Sequence, residues 1–424
     1  MIVSEDGASP GGAGLQRGWT RDISSGGWWV IASAFLAWTF EVYDLAILSV
    51  LTPVLLGVFD LTKAQAGGIT SASAFGSILG GILFGYLADR FGRVRTLYAA
   101  ILIYSLLTGL VILARDLQTL VILRFLGGIG MGGAWSAAAA LVAETWPPQH
   151  RGKGGAIMQS GLPIGSAIAI GLAALVTWLA GGLSNGAWRW LFAIGALPAI
   201  ILLPVILKTP ESPVWLARRK KVPDPAGGSP TGGSLMSRSL VIAFLFVFCV
   251  QFVFWGVATW TPTFLIEVKH MTFLKSLGFT FAQQIGTLLG FVVMALIVDR
   301  IGRRPTFILY LTVGAVALGV FVLATQNALL LLATAMVGFG IGGIFGGLGP
   351  FIAEMLKDTR MRALGMAIAY NGGRAGALIA PVLIGAMGAT TAGFQAGMGL
   401  TILALIGAVA IILIAPETKG VELS

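Results

Sequence analysis

The chain has 424 residues, of which 57% are hydrophobic, 10% are charged and 60 are glycine, and its mean hydropathy is +0.91. This composition excludes a soluble globular domain. The formal net charge of +10 invites a polyanionic partner, but the position of the charges along the chain assigns it to membrane topology and leaves nothing for a nucleic acid to explain.

Apolar runs long enough to cross a ~30 Å hydrocarbon core as a helix recur from end to end. Twelve spans are predicted, at 28–58, 67–88, 94–114, 118–143, 154–181, 190–207, 239–266, 276–298, 305–325, 328–353, 363–387 and 391–415. Residues 1–27 form a polar tail, and the run that follows is too long and too acidic for a cleaved signal peptide. Cys249 is the only cysteine, so no intrachain disulfide is possible.

The first span carries "FLAWTFEVYDLAIL", residues 35–48, with Glu41 and Asp44 in the middle of it. Each charge at mid-bilayer costs at least about 2.5–3.5 kcal/mol, so the pair requires a functional reason. Their i, i+3 spacing places them on one helix face, with Trp38, Phe40 and Tyr43 close by. Two carboxylates in a poorly solvated cavity cannot both ionise cheaply, which makes a proton site. Alternatively both stay ionised and neutralise the two cations within the spans, Arg124 and Arg374.

After the second span comes "GYLADRFGR", 85–93, and the fourth carries "RFLGGIGMGG", 124–133, with Glu144 at its end and Arg151 in the loop beyond. Between the sixth and seventh spans lies "ARRKKVPDPAGGSPTGGSLMSR", 217–238, whose basic, Pro-, Gly- and Ser-rich composition is that of a flexible linker. It separates one six-span bundle, 28–216, from another, 239–415, and residues 416–424 form the second tail. The halves repeat at a displacement of 210 residues: "ALIVDRIGR", 295–303, answers the first loop, "GIGG", 340–343, answers "GMGG", 130–133, and Glu354 answers Glu144. The same displacement takes Glu41 to Gln251 and Asp44 to Phe254, so the halves share a scaffold and differ at the midplane. In the eleventh span, "AYNGGRAGALIAP", 369–381, places Tyr370 and Asn371 on a broad face with Arg374. The planar donor fork of Arg374 matches a carboxylate, with Asn and Tyr as auxiliary donors.

Of the 27 Lys and Arg, 20 fall on the side of the chain ends, 5 on the opposite side and 2 inside spans. By the positive-inside rule both termini are cytoplasmic. His150 and His270, the only histidines, lie in loops, and no cluster has metal-ligand spacing. No Walker lysine accompanies the glycine-rich strings. An enzyme, a metal site, a cofactor and an ATP-driven pump are therefore not expected.

These motifs resemble the major facilitator superfamily over essentially the whole length. The loop with Gly85, Asp89, Arg90 and Arg93 looks like the family's signature, and its second copy keeps Asp299, Arg300 and Arg303 but has Ala295 in place of the glycine. The resemblance implies two pseudo-symmetric six-helix bundles around a central cavity. It implies gating by Gly85, Asp89, Arg90, Arg93, Glu144, Arg151, Asp299, Arg300, Arg303 and Glu354, with Asp and Arg pairing across the cytoplasmic mouth. Arg124 resembles the arginine implicated in coupling in related proton-driven carriers. Glu41-Val-Tyr-Asp44 resembles the acidic first-span motif of the aromatic acid:proton symporters, usually Asp-Gly-x-Asp. "PESPVWL", 210–216, and "PETKG", 416–420, echo sugar and organic-ion carriers and cap spans on the cytoplasmic side.

The reading that follows is proton-coupled symport of an organic monocarboxylate, aromatic by preference, through a monomer in the lipid bilayer of a bacterial inner membrane. Glu41, Asp44 and Arg124 would couple the proton. Arg374, Asn371, Tyr370, Tyr43, Trp38, Gln251 and Trp255 would bind the organic anion. A small-acid carrier of the lactate or sialate type is the alternative, and a non-transporting metabolite sensor is an alternative of another class.

Overall fold

The computed structural model describes residues 19–147, 150–220, 237–356, 365 and 368–418, and among these the regular structure is entirely helical. Eleven helices are long and apolar enough to cross a membrane. We number the helices α1 (Ser25–Val58), α2 (Lys63–Phe91), α3 (Arg93–Leu113), α4 (Leu117–Thr145), α5 (Arg151–Ala180) and α6 (Trp188–Leu207) in the first bundle. A short helix α7 (Pro213–Lys220) follows. The second bundle holds α8 (Arg238–Glu267), α9 (Phe273–Ile301), α10 (Arg303–Leu323), α11 (Asn327–Met355), α12 (Ala375–Met387) and α13 (Thr391–Ile414). The span expected at 363–387 corresponds to α12 together with helical residues 368–373 and a break at Arg374, while residues 366 and 367 lie outside the described set. Most of the expected linker, 221–236, also lies outside it, as do residues 1–18 and 419–424.

The spans start where local chemistry stops the chain from fraying. Ser24, Thr62, Asp116, Ser237, Thr272 and Thr390 each accept a backbone N–H in the first turn of the helix they open. Thr62 and Gln65 complete a reciprocal capping box. Such caps contribute about 0.5–2 kcal/mol each.

Within the bundles, α2 packs on α4 and α3 on α4, and the same relation recurs as α9 on α11 and α10 on α11. The α2–α4 contact is backbone on backbone: a Cβ at Gly128 would sit 2.2 Å from the Ser73 carbonyl oxygen, and one at Gly132 would sit 1.9 Å from that of Ser77. Only glycine permits that approach, which brings Arg124 against α2.

The bundles meet along α1–α8, α2–α12 and α5–α9. Among the described residues, the bonds that join them concentrate on the half away from the chain ends. Lys63 Nζ lies 2.8 Å from the Glu267 carboxylate, Ser49 donates to the Ala258 carbonyl at 2.5 Å, and Ser71 donates to that of Leu378 at 2.5 Å. The molecule is thus closed toward the face opposite its termini.

At the terminus-side ends of the spans, the repeated loops build the same device twice. Arg93 pairs with Asp89 at 2.8 Å and Glu144 at 3.0 Å, and Arg303 pairs with Asp299 at 2.6 Å and Glu354 at 2.8 Å. Glu211 of the first tail motif accepts the Arg93 N–H at 2.9 Å, and Glu417 of the second accepts those of Arg303 and Arg304 at 3.0 Å each. Ser212 bonds Glu144, and Thr418 bonds Glu354. Among the described residues the Asp–Arg pairs lie within each bundle, Asp89 with Arg93 and Asp299 with Arg303, because the arginine heads the helix that follows the aspartate. Arg90 and Arg300 are exposed, Arg151 donates to the Trp146 carbonyl at 3.3 Å, and a side chain at Gly85 would meet nothing within 4 Å, so no helix closes on that glycine here.

Candidate functional site

α1 is wedged between α4, α5 and α8, and its two carboxylates have different fates. Asp44, 1% exposed, holds both carboxylate oxygens 2.8 and 2.9 Å from Nη1 of Arg124, which is equally buried. Arg124 Nε donates to Ser73 Oγ at 3.2 Å. This is a sealed ion pair inside the first bundle, where removing either partner leaves an uncompensated charge.

Glu41, 2% exposed, makes no ion pair among the described residues, and its Oε2 has no hydrogen-bond partner. It faces a cavity of about 630 Å³ between the bundles, and Arg374 lies on the same cavity wall. The guanidinium of Arg374 donates from Nη1 to Ser77 Oγ at 2.6 Å across the bundle interface. It lies over the rings of Trp135 at 5.5 Å and Tyr370 at 5.7 Å. No carboxylate pairs with it among the described residues. Of the two acids and two cations within the spans, Asp44 and Arg124 alone form a contact pair among the described residues.

Of the residues expected to bind an organic anion, Arg374, Tyr370, Trp38, Gln251 and Trp255 line this cavity. Trp255 Nε1 donates to Gln251 Oε1 at 2.9 Å. Asn371 is not part of the lining; its buried Oδ1 has no partner among the described residues, and a Cβ at Gly81 would lie 3.6 Å from it. Tyr43 is turned away: its hydroxyl donates to the Leu191 carbonyl at 2.7 Å, and the ring packs toward α6. At about 100° per residue Tyr43 is roughly 200° around the helix from Glu41, so it cannot share that wall.

Sequence reasoning missed Thr70, Ser73 and Ser77, which put hydroxyls into the cavity from α2, and Phe254 and Phe345, which supply apolar wall. It also missed Trp135, whose ring stacks on Tyr370 with centroids 4.6 Å apart and planes 2° from parallel, joining the two bundles. The hydroxyl signal was present as a Thr70, Ser73, Ser77 stripe at helical spacing. The Trp135–Tyr370 contact had no local signal, since it depends on how the bundles meet.

A pocket between two bundles, mostly apolar with a few converging polar groups, is the form of a small-molecule site. It can hold an anion at Arg374, stack a ring, and hold a proton at Glu41.

A model of the Major Facilitator Superfamily matches residues 28–283 and 276–423. A protein of Cupriavidus pinatubonensis named "Probable 4-methylmuconolactone transporter" is 32% identical over 92% of this chain and 91% of its own length. The 3-(3-hydroxy-phenyl)propionate transporter of Escherichia coli is 29% identical over 86% and 89% respectively. Among solved structures, the inward open conformation of the xylose transporter XylE from E. coli superposes with a TM-score of 0.75 at 23% identity, covering 93% of this chain and 97% of that one. At that identity the likeness speaks to the fold alone.

Proposed function

We propose, since the chain belongs to the Major Facilitator Superfamily, that it works as a proton-coupled symporter of an organic monocarboxylate, with aromatic acids as the preferred class. It is a transporter by family and not an enzyme. The observation that carries the finer reading is the cavity shared by Arg374 and Glu41, a guanidinium and a carboxyl group that have no contacting counter-charge among the described residues.

The coupling follows from charge. With the cavity empty, Glu41 and Arg374 compensate one another through space. A substrate carboxylate arriving at the planar fork of Arg374 takes over that compensation. A second negative charge at Glu41 then becomes costly in a poorly solvated site, so Glu41 takes up a proton. The loaded cavity carries one cation, one anion and a neutral acid, and reorients without moving net charge through the apolar interior. Release of the substrate lets Glu41 discharge its proton on the same side. Trp38, Tyr370 and Trp255 on the cavity wall offer ring faces and edges to an aromatic body. Arg124 and Asp44 hold the frame against which Glu41 is positioned. The excess of basic residues on the side of the chain ends supports cytoplasmic termini in a bacterial cell membrane, with the single chain as the transporting unit.

Counterflow of benzoate in proteoliposomes tests the anion site. Arg374→Ala is expected to abolish exchange of the acid, and Arg374→Lys to restore it only in part, because a point charge lacks the fork. Wild-type exchange in Arg374→Ala would overturn the assignment. Uptake driven by an inward proton gradient, compared with uptake at equal pH, tests coupling, and accumulation indifferent to the gradient would remove the proton from the proposal.

A further inference from the structure

Beside the site lies a second cavity of about 650 Å³, displaced toward the closed face and lined by Ser49, Ser166, Thr280, Gln283, Gln284 and Thr287. It shares Leu45, Leu162, Phe254 and Trp255 with the first, so the two chambers adjoin through an apolar waist.

The internal repeat relates them. Thr70, Ser73 and Ser77 of α2 line the first chamber, and their counterparts 210 residues on, Thr280, Gln283 and Thr287 of α9, line the second. Met131 and Ile341 correspond in the same way. Corresponding stretches of α2 and α9 thus line the two chambers. The charge is not repeated: Glu41, Asp44, Arg124 and Arg374 map onto Gln251, Phe254, Thr334 and Ile164. The second chamber is lined by neutral side chains alone.

Half of its polar groups are spent on the protein, Ser49 through its bond to the Ala258 carbonyl. Thr280 and Thr287 give their hydroxyl protons to carbonyls of α9, Ser276 at 2.8 Å and Gln283 at 3.0 Å. The side-chain amides of Gln283 and Gln284 and the hydroxyl of Ser166 have no protein partner among the described residues, and Gln283 is only 8% exposed. Amides on a cavity wall without protein partners are open to pairing with a ligand that brings a complementary polar group. Facing them, α11 loosens into a π turn at Gly338–Gly342, and Gly338, Ile341 and Gly342 form that wall. Single π turns inside α-helices recur at functional sites.

We propose that this second chamber is a subsite for the uncharged, hydrogen-bonding end of the transported molecule, a hydroxyl or carbonyl received by Gln283, Gln284 and Ser166. This rests on the reading that Arg374 holds the carboxylate at the other end. The carrier therefore selects elongated acids with a neutral polar group remote from the carboxylate and rejects a second charge there, since no cation lines the second chamber.

The test is equilibrium binding to the full chain in nanodiscs, with 3-phenylpropanoate and its 3- and 4-hydroxyphenyl counterparts as probes. In the wild type at least one hydroxylated acid is expected to bind about three- to tenfold more tightly than the bare acid, the value of one neutral hydrogen bond. Gln283→Leu or Gln284→Leu is expected to collapse that ratio toward one, and the milder Gln283→Asn, which keeps the amide on a shorter arm, to reduce it. Because the readout is a ratio measured on one sample, a general loss of folded protein does not imitate it. No preference in the wild type, or a preference intact in both leucine variants, would overturn the subsite while leaving the anion site standing. Undiminished binding of all three acids to Arg374→Ala, or no binding of any to the wild type, would instead bring down the anion-site reading and this proposal with it.

Discussion

The four charged side chains at the core of the membrane region divide into a closed pair and an open one, and that division makes separate predictions for two acids three residues apart. Asp44→Asn leaves Arg124 buried without a counter-charge, so it is expected to cost about 3–5 kcal/mol and to lower the melting temperature sharply. Glu41→Gln removes a group with no contacting cation, and its amide imitates the protonated acid. Its melting temperature is expected to fall much less than that of Asp44→Asn, since no contact pair is broken, while accumulation under a proton gradient is lost and substrate-for-substrate exchange survives. Melting curves alongside gradient-driven uptake and counterflow decide the matter, and the reverse pattern, with Glu41→Gln unstable and Asp44→Asn uncoupled, would exchange the two roles. The sequence announced the acids and the arginines through their rarity in apolar spans, but not the pairing. Both acids occupy one face of α1, and only the glycine-tight contact of α4 on α2 determines that Arg124 reaches Asp44. The displacement of Tyr43 was legible, since helical geometry alone sets it opposite Glu41, whereas the Trp135–Tyr370 stack was not, being a product of bundle against bundle.

At the scale of the element, the duplicated loop shows why a motif repeats its glycine along with its charges. Gly92 has φ of +105° and Gly302 has +101°, a region that favours glycine. Each also leaves room for a carboxylate: a Cβ at Gly92 would meet Glu211 Oε2 at 2.4 Å, and one at Gly302 would meet Glu417 Oε2 at 2.9 Å. The carboxylate in turn accepts the free N–H groups that start α3 or α10, where negative charge is favoured by the helix dipole. Glu211→Ala is expected to cost about 0.5–2 kcal/mol as the loss of a helix cap. Gly92→Ala should cost more, because it adds backbone strain to the displaced carboxylate. The same changes at Glu417 and Gly302 should cost less, since that cap is more exposed and its glycine less crowded. Thermal melting of the four variants checks the order, and equal effects in the two halves would show that the repeated caps are energetically equivalent. The tail motifs were legible as caps from their place after the last span of each bundle. Their partners were not, because Glu211 and Arg93 are far apart in sequence.

For the whole molecule, the distribution of cross-bundle bonds sets which face is closed. Lys63 and Glu267 stand at the far ends of α2 and α8 and pair at 2.8 Å with side chains 20% and 36% exposed. Alternating access requires this contact to break whenever the far face opens. A partly exposed pair contributes at most about 1 kcal/mol, so Glu267→Gln should shift the balance toward the open-far-face state by no more than about fivefold. It should leave the Asp44–Arg124 pair and the fold untouched, because neither touches the lock. The shift is readable as a larger fraction of long distances between spin labels placed across the far mouth, at Phe59 on the first bundle and Thr272 on the second, in an otherwise cysteine-free chain with Cys249 replaced. Lys63→Ala should produce a shift of the same sign and similar size, and the double substitution should add little to either, since both remove one interaction. Additive shifts would mean that Lys63 and Glu267 hold the face closed through separate contacts, Lys63 through its position over the Phe394 ring at 5.4 Å. A fivefold bias is small beside the reorientation that transport demands, as a lock that opens on every cycle has to be. The permanent strength lies inside the bundles, where Arg93, Arg124 and Arg303 are held by carboxylates of their own half.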